Sequence, residues 1–109
     1  MDESRFNQLA DEMLVRIEEA LAACEADFDF ELKAGGVIEI EFSDGGKIII
    51  NRHTAAREIW IAARSGGFHF KPESDGWVSG RDGSLLQTVL ERCMSEQAGE
   101  AITLDLGRR

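Results

Sequence analysis

Six short runs of alternating apolar residues, joined by links of only three to six residues, constrain this chain more than any other feature. A parallel crossover needs about a dozen residues or more between strands, so links this short dictate an antiparallel meander. The first run, 27–32, sets Phe28, Phe30 and Leu32 against Asp27, Asp29 and Glu31. The second, 37–42, sets Ile38, Ile40 and Phe42 against Glu39 and Glu41. Further runs follow at 47–51, 58–63, 67–71 and 76–79, each bounded by Gly, Ser, Pro or Asn. Gly35-Gly36, Gly45-Gly46 and Gly66-Gly67 fall where hairpins must turn, so turn geometry explains them without a phosphate ligand.

Before these runs the apolar period is helical. Phe6, Leu9, Met13, Ile17, Leu21 and Cys24 recur at spacings of three and four, and Ala10, Leu14 and Ala20 widen the stripe. The pattern predicts a helix over about 4–24, with Asp2, Glu3 and Ser4 as capping residues. A second helix is predicted over about 84–97, opened by a capping box of Ser84 and Gln87 and buried through Leu85, Leu86, Val89, Leu90 and Cys93. Ile102, Leu104 and Leu106 predict a tail that packs. The economical way to bury both stripes is an α+β two-layer sandwich, one domain over 1–109, with both helices on one face of an antiparallel sheet of about six strands.

Charge divides the chain unevenly. Residues 1–44 hold 13 acids and three bases, whereas the remaining 65 hold eight acids and nine bases, within a net charge of −9. Such a field repels nucleic acid and anionic membranes and attracts cations or a basic protein surface. On a helical wheel Asp11, Glu18 and Glu25 form one row and Glu12 and Glu19 a second. Asp27, Asp29 and Glu31 recur along one strand face at about 6.6 Å. These are oxygen donors only, suited to Mg²⁺, Ca²⁺, Mn²⁺ or iron, but they splay from regular elements, so any ion is weakly held and exchangeable. The alternative is a charged face kept for solubility.

An uncovered sheet face would carry Ile49, Asn51, Trp60, His69 and Lys71, the residues out of phase with the buried isoleucines and phenylalanines. Trp60 there is either an interface anchor or a ring covered by a loop or stacked on neighbouring Arg or His. The acidic start fits neither a signal nor a transit peptide, and no apolar stretch reaches about 20 residues. Cys24 and Cys93, outside any paired spacing, read as buried free thiols of a reducing cytoplasm. Nucleophile elbows, phosphate loops, dinucleotide glycine motifs and paired-histidine zinc motifs are missing from the sequence, and His53 and His69 read as surface residues, so an enzyme is not expected.

One ordered set of segments is more specific than these patterns: Ile48-Ile49-Ile50-Asn51-Arg52, Glu58-Ile59-Trp60-Ile61-Ala62 and Ser65-Gly66-Gly67-Phe68-His69-Phe70. Leu9-Ala10-Asp11, Ile17-Glu18-Glu19 and Gln97-Ala98-Gly99-Glu100 extend it over almost the whole chain. It resembles the frataxin family in its bacterial form. The resemblance implies a cytoplasmic protein that binds Fe²⁺ and Fe³⁺ weakly through an acidic ridge. It further implies binding to the cysteine desulfurase and its iron–sulfur scaffold complex, with an altered rate of cluster assembly. Carried over by position, the metal ridge is Asp11, Glu18, Glu19, Glu25, Asp27, Asp29 and Glu31, with Glu3 at its margin. The partner-binding residues are Glu18, Glu19 and Asp27 on the ridge and Asn51 and Trp60 on the sheet. Ala22 and Ala23 stand where several bacterial relatives carry acids, and His53 stands where Gln is common and adds pH sensitivity. The implied role is an iron-binding regulator, monomeric unless iron induces oligomers. The alternatives are an iron chaperone or store with ferroxidase activity, or an electrostatic adaptor whose metal binding is incidental.

Overall fold

The short turns close the alternating runs into a single meander. In the computed structural model, which describes residues 1–74 and 76–106, six strands follow one another as β1 (Phe28–Lys33), β2 (Val37–Phe42), β3 (Lys47–His53), β4 (Glu58–Ala63), β5 (Gly66–Glu73) and β6 (Gly76–Ser79). Their spatial order is their chain order, and every neighbouring pair is antiparallel. Helix α1 (Glu3–Ala23) precedes the sheet, helix α2 (Leu86–Ala98) follows it, and a 3₁₀ turn (Thr54–Ala56) joins β3 to β4.

Register decides which residues enter the core. Ile40 opposes Ile48, Ile50 opposes Ile61, and Ile59 opposes Phe70. All six are essentially fully buried, with Phe6, Ile17, Leu21, Leu90 and Met94 of the helices packed over them. Residues of the other parity point away from the helices, which leaves that sheet face uncovered.

The helix ends differ from each other. Asp2 caps α1, its Oδ1 accepting the Arg5 N–H at 2.8 Å. The predicted Ser84 box does not form. Ser84 donates its N–H to Asp82 Oδ1 at 3.0 Å and its carbonyl accepts the Ser79 N–H at 2.8 Å, a tight turn that delays the helix to Leu86. Leu85 is drawn into a bridge with Val78 and remains exposed instead of joining the apolar face. Gln87 turns instead to the tail and donates to the Leu104 carbonyl at 2.9 Å. The tail does pack, burying Ile102, Leu104 and Leu106 against α2. Cys93 is buried and free, whereas Cys24 is free but only half-buried.

Two polar clamps tie the layers together. Arg52 crosses from β3 to α1, donating to Asp11 and to Asn7 Oδ1. Gln97, buried on α2, accepts the Arg64 N–H at 2.9 Å and donates to the Lys47 carbonyl at 3.2 Å. A thioether in its place leaves both backbone groups unmet, and each unmet buried group costs about 1–3 kcal/mol. Gln97→Met is therefore expected to lower the urea midpoint by that order with an unchanged denaturant slope. A midpoint equal to wild type would show that water satisfies both groups.

Candidate functional site

The β1–β2 hairpin is where the acidic residues concentrate. Its link, 34–36, pairs Lys33 with Val37, Glu31 with Glu39 and Asp29 with Glu41. Because paired residues share a face, Asp29, Glu31, Glu39 and Glu41 form a block of four carboxylates on the uncovered side of the sheet. They line a shallow depression of about 320 Å³ with Phe30. Directly opposed side chains lie about 5 Å apart, where two like charges in water repel by about 0.8 kcal/mol. Lys33 and Lys47 offset part of this by reaching Glu39 from two sides, at 3.1 and 3.0 Å. Their hydrogen bonds, that of Lys47 first, hold the Glu39 carboxyl below its ordinary value of 4.5.

The resemblance-derived ridge divides over this geometry. Asp29 and Glu31 are exposed on the outer sheet face, pointing away from the helices. Glu18 and Glu19 lie on α1, and Glu3 at its first turn is exposed. Asp11 is neutralised by Arg52. Glu25 and Asp27 are exposed in the link between α1 and β1. Asp27 falls outside the strand because the Phe28 N–H bonds the Ala26 carbonyl at 3.1 Å and bends the chain there. The helix and strand acids therefore do not share one face. Among the described residues, no three His, Cys, Asp or Glu side chains converge to hold a metal ion. The donors fit a hydrated hard cation resting on one or two carboxylates, not a chelate. Glu39 and Glu41 belong to this set although ridge reasoning omitted them. A three-residue link after Lys33 was sufficient to place them opposite Glu31 and Asp29.

The second surface lies on β3–β5. Trp60, opposite Asn51 on one side and His69 on the other, is sandwiched between His53 and His69. Ring centroids stand 4.1 and 4.3 Å away, with interplanar angles of 7° and 6°. The indole Nε1 donates to Glu58 Oε1 at 2.7 Å, while Lys71 approaches Glu58 Oε2 at 3.4 Å and His69 approaches Oε1 at 3.6 Å. Burial would raise the Glu58 carboxyl, but the Trp60 and Lys71 hydrogen bonds outweigh it and hold the group below its ordinary value of 4.5. Trp60 is thus a fixed, half-buried ring at the centre of a stack of three parallel rings. Among the described residues, no helix is long and apolar enough to cross a membrane.

A sequence model described as the frataxin-like domain matches residues 1–100. The chain belongs to the frataxin family. It is 57% identical over 104 residues to the iron-sulfur cluster assembly protein CyaY of Dechloromonas aromatica, covering 95% of this chain and 99% of that one. Against the CyaY of Vibrio cholerae it is 44% identical over 102 residues, covering 94% and 97%. These likenesses place it among the bacterial, CyaY-type frataxins. The solved frataxin of Psychromonas ingrahamii superposes with a TM-score of 0.85 at 30% identity, over 94% of this chain and 97% of that one. The trimeric frataxin of the yeast Saccharomyces cerevisiae, complexed with ferrous iron, superposes with a TM-score of 0.64 at 27% identity, over 92% and 88%. The frataxin sandwich of two helices on an antiparallel sheet is the architecture described above.

Two outcomes test this electrostatic account of the frataxin surface. Millimolar Mg²⁺ or Mn²⁺ should raise the melting temperature by a few degrees more than NaCl at matched ionic strength, because a cation between strands relieves the opposed carboxylates. Equal shifts would mean screening alone. Glu39, with its lowered folded value, contributes stability that is complete above 4.5 and is lost as pH falls through that lower value. Lys47→Met should move the Glu39 titration, followed by its carboxyl ¹³C shift, upward toward 4.5. An unmoved midpoint would remove Lys47 as the cause.

Proposed function

We propose that this chain regulates iron–sulfur cluster assembly in the bacterial cytoplasm without catalytic turnover of its own. Its acidic surface docks on a basic patch of the cysteine desulfurase, and Fe²⁺ or Fe³⁺ rests weakly on the same carboxylates. The observation that carries this reading is the divergence of the acids. Side chains spread over α1, the link after it and the outer face of β1–β2 suit a broad, complementary protein surface better than a metal cage. The relatives' description as iron-sulfur cluster assembly proteins supports the pathway. In this scheme Glu18, Glu19 and Asp27 meet the desulfurase, while Trp60 and Asn51 present a rigid face to the scaffold bound to it.

A second reading, an iron chaperone or store with ferroxidase activity, is favoured by the four carboxylates opposed across β1–β2 and by the trimeric yeast frataxin complexed with ferrous iron. The two readings separate in one assay, desulfurase turnover titrated with this protein with and without Fe²⁺. Regulation requires turnover to change in the absence of iron. Chaperoning requires unchanged turnover and iron transfer to an apo acceptor at matched free iron. Reversing Glu18, Glu19 and Asp27 to Lys together should weaken desulfurase binding by about two orders of magnitude while the fold persists, as like-charge juxtaposition costs several kcal/mol. Trp60→Ala should leave iron binding intact and reduce the effect on assembly. Wild-type affinity of the triple variant at physiological salt would overturn the docking mechanism.

A further inference from the structure

Leu32 occupies a core-side position and is nevertheless half exposed. It shares the parity of Phe28 and Phe30 and pairs with Ile38, which is 3% exposed, yet Leu32 itself is 50% exposed. Leu32 lies near the tip of the edge hairpin, one residue before the end of β1. Facing it from α1 is Val15, also 50% exposed. Together with Leu14, Val37 and Ile38 they line a groove of about 270 Å³, several times the ~30 Å³ share of one water molecule. Among the described residues, two of the four exposed large apolar side chains therefore line the same groove.

The rim carries a defined charge. Asp11 is engaged by Arg52, and Lys33 is engaged by Glu39 at 3.1 Å. Glu18, one turn beyond Leu14 and Val15 on the same helix face, has no cationic partner among the described residues. Of the four charged residues that line the groove, Glu18 is the one without an ion-pair partner among the described residues. An apolar slot with one free carboxylate at its edge complements an aliphatic side chain next to a Lys or Arg.

We infer that the groove between Val15 and Leu32 receives an aliphatic side chain of a basic segment of the desulfurase, whose neighbouring cation pairs with Glu18. This rests on the docking reading above and adds the anchor that long-range attraction lacks. Opposite charges accelerate encounter, whereas desolvated apolar contacts prolong the bound state. The two contributions are kinetically separable.

The test is the association and dissociation rates of purified cysteine desulfurase with the full chain over a salt series. Val15→Thr and Leu32→Asn are close in size to the native residues and lie at half-exposed positions, so melting temperatures should stay near wild type and report the fold. Each is expected to speed dissociation about tenfold with association and its salt dependence unchanged. Glu18→Gln is expected to slow association and flatten that salt dependence. Wild-type dissociation from both apolar variants overturns the anchor and leaves docking through the acids standing. If wild type does not bind the desulfurase at all, the docking reading fails and the anchor with it. If sedimentation shows self-association that Val15→Thr abolishes while desulfurase binding is unchanged, the groove is a contact between copies of this chain and the inference is overturned.

Discussion

The parity of one antiparallel ladder governs the molecule. Once the 34–36 link pairs Lys33 with Val37, the β1–β2 register is determined, and each following short turn carries it across to β6. A slip of one residue would send Ile38, Ile40, Ile48 and Ile50 to water and bring carboxylates under the helices. That alternative is so costly that the register has no competitor. Both surfaces follow from it: the residues left over after the core is filled are Asp29, Glu31, Glu39 and Glu41 at one edge of the open face and Asn51, Trp60 and His69 across its middle strands.

The two patches of that face are stabilised differently. At the acidic patch the protein accepts repulsion, with Lys33 and Lys47 reaching only Glu39. At the aromatic patch several contacts hold Trp60: two stacked imidazoles, and an indole N–H bonded to a carboxylate that also faces Lys71. A ring already fixed loses little entropy when a partner covers it. The acidic patch is thus adaptable in what it binds, and the aromatic patch is preorganised.

Local pattern sufficed to read the strands, both helices and the outward parity of Trp60, because burial on one face imposes period 2 and burial of a helix imposes 3.6. What escaped the sequence was pairing across distance. Arg52 neutralises Asp11 from 41 residues away, so a carboxylate counted with the ridge is spent on holding α1 to the sheet. Stacking of Trp60 depended on His53 and His69 of the strands either side, which only the pairing of those strands brings to it. Ser84 and Gln87 have the residue types of a capping box, but the Ser79–Ser84 turn and the docked tail compete for the same groups and win. Glu39 and Glu41 differ in kind. Their partners followed from hairpin arithmetic, and treating β1 alone as the ridge hid them.

The carboxylates of β1 also answer a problem that has nothing to do with iron. Among the described residues β1 is an edge strand with no neighbour on its outer side, and an exposed edge is a template for pairing with another chain. Asp29 and Glu31, with Lys33 after them, place charge at every outward position of that edge, so a second copy approaching in register meets its own charges. A partner with basic side chains meets the opposite field. The same residues therefore disfavour pairing between copies and favour a cationic surface, and this one constraint permits a hairpin tip with exposed Leu32 to stay open beside them. Apolar exposure at an unprotected edge would invite aggregation; beside a strongly acidic strand it can be kept for recognition.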